Sequence, residues 1–426
     1  MRGDVRQDIG EAAVIAVLKE EICRATGCTE VGAAALVAAR AAEALGRVPE
    51  KLRITVSPNV YKNAAHAGVP GTPFRGIAPA AALGAVIGKA AAGLAVLDAV
   101  TQDTIAQATG LLREGRVHAT FELGDDGLYL RAEAEAGGDA ALAEITGAHD
   151  RFTLVTKNGE TLLRDDAPPE EADPATMLRD VPVAHLLDVV AHIPAADLEF
   201  LIEAADLTAA AARADLDSGA PLGRALSQHA QASPSPRAAA QALAGAASEA
   251  RMSGAPVPVM AITGSGNHGI TNFLGVLGFA QSIGASRAEL ARALAISSII
   301  TVAIKAHTGK LTAFCGCAVA PATGLAAAAA YLLGGGLAAQ EHAMQSMIGT
   351  FAGLLCDGAK ASCAYKVATV VGAAIDLATL AVEGVHVPDG DGILGAGVDA
   401  SFANLGRLND PGMRGTEEVV LGMIEH

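Results

Sequence analysis

The sequence predicts an α+β protein: an amino-terminal α/β half with an antiparallel sheet, followed by an all-α helical domain. Three observations predict it. Val117 to Leu163 alternates polar and apolar residues between Gly-Asp turns, in VHATFEL, GLYLRAEAEA, RFTLVTK and ETLLR, which is the period of strands. The segment RDDAPPEEADPAT, Arg164 to Thr176, is acidic and Pro-rich and reads as a linker. From Asp180 onward the chain reads as successive helices broken by Gly and Pro, with no convincing strand. The expected domains are residues 1–175 and 176–426.

Taken in order, the first element reads as a helix from Ile9 to about Thr26, and the second runs from about Thr29 to Leu45. A short β run, LRITVSP, covers Leu52 to Pro58. The Gly/Pro loop VPGTPFRG follows, then Ala-rich helices over roughly Ile77–Ala92 and Asp98–Glu114. No fixed-period repeat is evident.

Composition narrows the function classes. Hydrophobic residues make up 51% of the 426, yet aromatics are 3% and Trp is absent. Cores of Ala and Gly work by close backbone approach, so tightly packed helices are expected. A formal net charge of −16 with no Lys/Arg cluster argues against nucleic acid or an anionic membrane surface as partner. The amino terminus carries acidic residues early and lacks an uninterrupted apolar core, so no signal peptide is expected. The uncharged run Cys315–Gln340 has the length of a membrane span, but its Ala, Gly, Pro and Thr insert poorly, which favours a buried helix. Six cysteines without an export signal fit a reducing cytoplasm, where thiols serve chemistry or metals. Tight Ala/Gly surfaces suit a homodimer.

The cysteines raise the first question of chemistry. Cys315, Cys356 and Cys363 lie in FCGCAVA and LCDGAKASC, with forty residues between the first two and six between the last two. This is neither the paired pattern of zinc ribbons nor the dense run of ferredoxins. By spacing alone they are either ligands that leave one iron of a cluster open or small buried hydrophobes. Cys28, in ATGCTEVG, precedes the helix that begins near Thr29. The dipole there should lower its pKa if it is a reactive thiol, while the plainer reading is a residue beside a cap. Cys23 and Cys317 read as packing residues.

Two loops can hold a small anion or simply turn the chain. TGSGNHGI, Thr263–Ile270, lets backbone amides approach a ligand ahead of a helix, without the lysine of a P-loop. SPNVYKNAAHAGVPGT, Ser57–Thr72, groups Asn59, Lys62, Asn63 and His66 before Gly71 and Thr72.

Taken together, GCTE, SPN..KN, VPGT, AALGA, GSGN.GI, the Cys315 segment and CDGAKASCA.K run in the order seen in the L-cysteine desulfidase family, which the chain resembles over nearly its whole length. These are iron–sulfur enzymes related to the bacterial iron–sulfur L-serine dehydratases. The resemblance implies a [4Fe–4S] cluster and an amino-acid substrate, L-cysteine, converted to pyruvate, ammonia and hydrogen sulfide. It assigns Cys315, Cys356 and Cys363 as ligands, although the last gap is shorter here than in the dehydratases. Cys28 then faces the substrate. A rival set takes Cys28, Cys315 and Cys356, leaving Cys363 structural; the first set keeps every ligand in one helical domain.

In the mechanism that the resemblance implies, Thr29 and Glu30 flank Cys28 at the substrate. Asn59, Lys62, Asn63, Gly71, Thr72, Ser265, Gly266, Asn267 and His268 bind the substrate, chiefly its carboxylate. Cys28 is the first candidate base, and Lys305 or Lys310 in IKAHTGKL the second. Lys360 and Lys366 offset the charge of thiolate ligands. The chain departs from the family pattern at Val31, where GCTEP is expected, at His268, where GSGNQG is expected, and at Tyr61, His66 and Pro73. These changes point to an altered carboxylate pocket and make another β-substituted amino acid a possible substrate.

Overall fold

The computed structural model describes residues 9–122, 127–167 and 174–424. Most of the proposed linker, residues 168–173, and part of one Gly-Asp turn, residues 123–126, lie outside them. The strands are β1 (Ile22–Thr26), β2 (Lys51–Val56), β3 (Val117–Phe121), β4 (Tyr129–Ala136), β5 (Asp139–Thr146), β6 (Phe152–Lys157), β7 (Glu160–Arg164) and β8 (Pro258–Ile262).

Six of them form one sheet in the order β3-β2-β4-β5-β6-β7. Two-residue hairpins set its register. Gly137-Gly138 joins β4 to β5, and Asn158-Gly159 joins β6 to β7, with positive φ at all four positions. Such turns match the strand twist, which is why these dipeptides sit there. The sheet is not purely antiparallel, because β2 and β3 pair parallel. The chain between them carries helices and returns in the same direction, as a parallel pair requires.

Helix Thr29–Leu45 is buried on almost every side, between the sheet and helix Ile77–Ile87. The close approach is literal: a Cβ at Gly84 would stand 1.9 Å from the Ala35 carbonyl oxygen. The next Ala-rich helix starts later than its composition suggests, at Gln102, because Thr101 caps it through the Thr104 amide at 3.2 Å.

The second core is helical. Helix Arg287–Thr308, opened by a capping box of Ser286 and Glu289, runs through it and packs on helix Gly316–Leu332. There a Cβ at Gly324 would stand 2.3 Å from the Ser297 carbonyl oxygen. Helices Arg287–Thr308 and Ser362–Val382 are long and apolar enough to cross a membrane by length and composition, but 89% of the first is covered by the protein itself. The uncharged run Cys315–Gln340 packs as a buried helix and the start of the next one.

Two expectations fail together. The first helix is Glu11–Glu21, and Ile22–Thr26 is strand β1 rather than its continuation. Its partner is β8, a strand in the half expected to have none; they pair antiparallel, Ile22 with Ile262 and Thr26 with Pro258. Neither five-residue segment alternates cleanly, and each is strand only because the other lies beside it. Long-range pairing overrides local propensity here.

One buried acid predicts a pH effect. Half-buried Glu249 accepts the Leu222 and Gly223 amides at 3.2 and 2.7 Å, which holds its carboxyl group at the start of helix Pro221–Ala232. Beside it, burial and then Glu249 push Asp215 up to about 7 from 3.8. Folding therefore takes up a proton between those values, and stability falls as pH rises through that window. Asp215→Asn is expected to stabilise the protein by roughly 1–3 kcal/mol at pH 8, an advantage that vanishes toward about pH 4. Urea midpoints at the two pH values measure it.

Candidate active site

Backbone pairing brings the carboxyl-terminal cysteines together. Phe314 and Leu355 form an antiparallel bridge. The Cys315 amide donates to the Leu354 carbonyl at 2.6 Å, and the Cys356 amide to that of Ala313 at 2.9 Å. Cys315 is the residue before helix Gly316–Leu332, and Cys363 is the second residue of helix Ser362–Val382, its thiol donating to the Gly358 carbonyl at 3.4 Å.

Helix Pro58–Ala64 closes the ring. The Ala359 amide donates to the Asn63 carbonyl at 3.2 Å. Asn63 Nδ2 donates to Glu30 Oε1 at 2.9 Å, and Cys356 Sγ lies 3.8 Å from Asn63 Oδ1. Cys28 Sγ donates to Glu30 Oε2 at 2.9 Å, where Thr29 Oγ1 also donates at 3.1 Å.

A cavity of about 80 Å³ results, lined by Cys28, Glu30, Asn63, His149, Arg251, Ser265, Asn267, His268, Lys310, Cys315, Cys317, Cys356, Cys363 and Lys366 among others. A wider cleft of about 720 Å³, lined by Asn59, Lys305 and Glu417, shares Lys310 and Leu311 with it.

The remaining sequence candidates fall elsewhere. Lys305 is buried in the wider cleft, near enough for its charge to act on His268. Gly71 and Thr72 are tied to Gly254 and Val69 outside the cavity. Gly266 lies against Arg251. Asn59 Nδ2 and Lys62 Nζ donate to Glu417 at 2.8 and 2.9 Å, which docks the carboxyl-terminal helix Arg414–Ile424 on helix Pro58–Ala64. Lys62 is 1% exposed, so Glu417→Ala strands its charge, a local cost of about 3–5 kcal/mol. Faster amide exchange across residues 414–424 is the expected readout, with a smaller effect in Glu417→Gln.

Tyr61, His66 and Pro73 do not line the cavity either: Tyr61 packs against Phe121 with the rings tilted by 51°, and the other two are exposed. Of the departures from the family pattern, only His268 borders it. The expectation of a reshaped pocket therefore rests on that one residue. Conversely, Cys317, read as a packing residue, faces the cavity as a fourth carboxyl-terminal thiol.

Electrostatics divide the thiols. The expected lowering of the Cys28 pKa is overturned: burial, then the Glu30 carboxylate, pushes this thiol well above its usual range, outweighing Arg251 and the Val31 amide. Glu30 itself goes down despite burial, because His149, the Cys28 hydrogen bond and Arg251 favour its charge. The hydrogen bond from Cys317 brings Cys315 down to about 7, with help from Lys366, whereas burial pushes Cys363 up to about 12. Burial, then Lys305 and Arg251, keeps His268 neutral, with its Nδ1 2.9 Å from Thr263 Oγ1. Lys360 and Lys366 both pair with Asp357, and Lys366 also reaches the Leu355 carbonyl at 2.8 Å.

The chemistry of the donor set, soft thiols around one cavity, is that of an iron–sulfur cluster site. All six cysteines are free, and Cys315, Cys356 and Cys363 face one cavity. Among the described residues no three His, Cys, Asp or Glu side chains converge on a point that one metal ion could occupy. A cluster takes one thiolate per iron, so its ligands surround a volume instead of meeting at a point.

An α+β fold whose cysteine-lined cavity draws its residues from both the sheet-bearing and the helical parts of the chain suits a lyase of the serine dehydratase kind. The chain belongs to the serine dehydratase alpha-chain family, whose model matches residues 91–422. Members of that family are typically iron–sulfur dependent. Among its relatives is a UPF0597 protein of Methanocella arvoryzae, 45% identical over 96% of this chain and 97% of the relative. UPF0597 proteins of Bacteroides fragilis and Clostridioides difficile are 38% and 36% identical, covering 97% and 96% of this chain and 97% and 98% of theirs. Those names state no substrate.

Proposed function

We propose that this chain is an iron–sulfur-dependent β-elimination lyase acting on L-cysteine, giving pyruvate, ammonia and hydrogen sulfide through an aminoacrylate. The observation that supports it most is the Cys28–Glu30 pair, hydrogen-bonded at 2.9 Å, on the same small cavity as Cys315, Cys356 and Cys363. Those three would hold the [4Fe–4S] cluster. When bound, it supplies a Lewis-acidic iron at the corner that no thiolate of this set takes.

The chain's own residues then move the protons. Cys28 stays protonated at rest against the ionised Glu30; as the substrate's α-proton comes off onto Cys28 Sγ, the thiol's own proton passes along its hydrogen bond to Glu30, so that no free thiolate forms. The Cα–H pair becomes the Cα=Cβ bond, and the Cβ–S bond breaks with its electrons on the departing sulfide. His149 Nε2, 4.0 Å from Glu30 Oε1, can draw the proton onward. Lys310, which shares both cavities, is the second candidate base. Aminoacrylate hydrolyses in water to pyruvate and ammonium. A cytoplasmic homodimer working on free amino acid, with neither nucleic acid nor membrane as partner, completes the proposal.

The family match favours a second reading, dehydration of L-serine or elimination from another β-substituted amino acid in the same site. Anaerobic protein given L-cysteine should release sulfide, ammonia and pyruvate in equal amounts. Pyruvate from L-serine without sulfide from L-cysteine would move the substrate to the second reading; no keto acid from either would overturn both.

A further inference from the structure

The cavity contains one charge that neither the sequence motifs nor the proton transfers above use. Arg251, near the end of helix Pro236–Ser253, is 3% exposed and faces the cavity beside Cys28 and Asn267. Its Nε is buried without a hydrogen-bond partner, and its charge acts on Cys28 and Glu30. Glu30, the nearby carboxylate, is already engaged by Cys28, Thr29 and Asn63. Gly266 accommodates the guanidinium: a Cβ there would stand 2.4 Å from Arg251 Nε. The GSGN turn is thus shaped around this side chain.

A buried guanidinium N–H without a partner is costly, and a carboxylate is the group the planar fork matches best. We infer that Arg251 anchors the α-carboxylate of the substrate and so sets the site's preference for α-amino acids. This rests on the amino-acid reading above, and it transfers the carboxylate-binding role from Asn59, Lys62, Gly71 and Thr72, which lie outside the cavity.

The test uses the cluster-loaded full chain and two probes lacking a leaving group: L-alanine, and ethylamine, which is alanine without its carboxylate. Calorimetry on the unmodified protein should show alanine binding roughly 100-fold tighter than ethylamine. Arg251→Gln should abolish that preference and raise the KM for L-cysteine by a similar factor, with kcat and iron content little changed. Arg251→Lys, which keeps a charge but not the fork, should recover part of the preference and covers the case in which Arg251→Gln does not fold. Equal binding of the two probes by the unmodified protein overturns the inference, as does an undiminished preference in an iron-loaded variant. The two readings fail separately. Arginine-dependent alanine binding without sulfide release sinks the cysteine reaction and keeps the anchor. Sulfide release with unchanged KM in Arg251→Gln does the reverse.

Discussion

Cys356→Ser protein, prepared without oxygen, is expected to hold little or no iron and to show no measurable lyase activity. Cys356 is fixed by the hydrogen bond from its amide to the Ala313 carbonyl beside the Phe314–Leu355 bridge, and its thiol touches Asn63, so it ties the two segments together at the cavity. Serine keeps the size and a hydrogen-bond donor, which leaves the backbone bridge intact. What it removes is a soft thiolate, the donor that iron–sulfur clusters take. The substitution therefore separates a ligand from a packing residue: a small buried hydrophobe replaced by Ser alters stability modestly and leaves iron in place. Iron assay and circular dichroism on the same sample distinguish the two.

Cys28→Ala should lower kcat by about 10³–10⁴-fold while leaving iron content and the visible spectrum unchanged. The thiol is buried against Glu30, and removing it leaves the carboxylate with Thr29 and Asn63 as donors. Glu30→Gln should cost nearly as much, since an amide cannot take the thiol proton. Loss of iron in Cys28→Ala would instead support the rival ligand set, with Cys28 on the cluster and Cys363 structural. Full activity in this variant would transfer the base to Lys310.

Much of the site was legible in the sequence because its chemistry lies in short motifs. GCTE, GSGNHG and CDGAKASC supplied Cys28, Glu30, Ser265, Asn267, His268, Cys356 and Cys363, and all line the cavity. Arg251, His149 and the site role of Cys317 were not read. Arg251 did leave a trace: it falls in phase with Ala240, Ala244 and Ala247 on the buried stripe of its helix, where a lone charge is out of place. His149 sits in a turn after β5 with no local signal, and only the fold brings it to Glu30. The strands of the sheet were readable through alternation between Gly-Asp turns. β1 and β8 were not, since each depends on a partner more than two hundred residues away. The carboxylate residues assigned from the Ser57–Thr72 loop share its motifs, yet Glu417 already occupies Asn59 and Lys62.

The most direct measurement is iron and acid-labile sulfide counted per chain in anaerobically reconstituted, unmodified protein. About four of each, in a brown sample that bleaches in air, is expected if three thiolates of the helical half carry a [4Fe–4S] cluster. A colourless protein that stays free of iron after reconstitution yet releases sulfide from L-cysteine would contradict it.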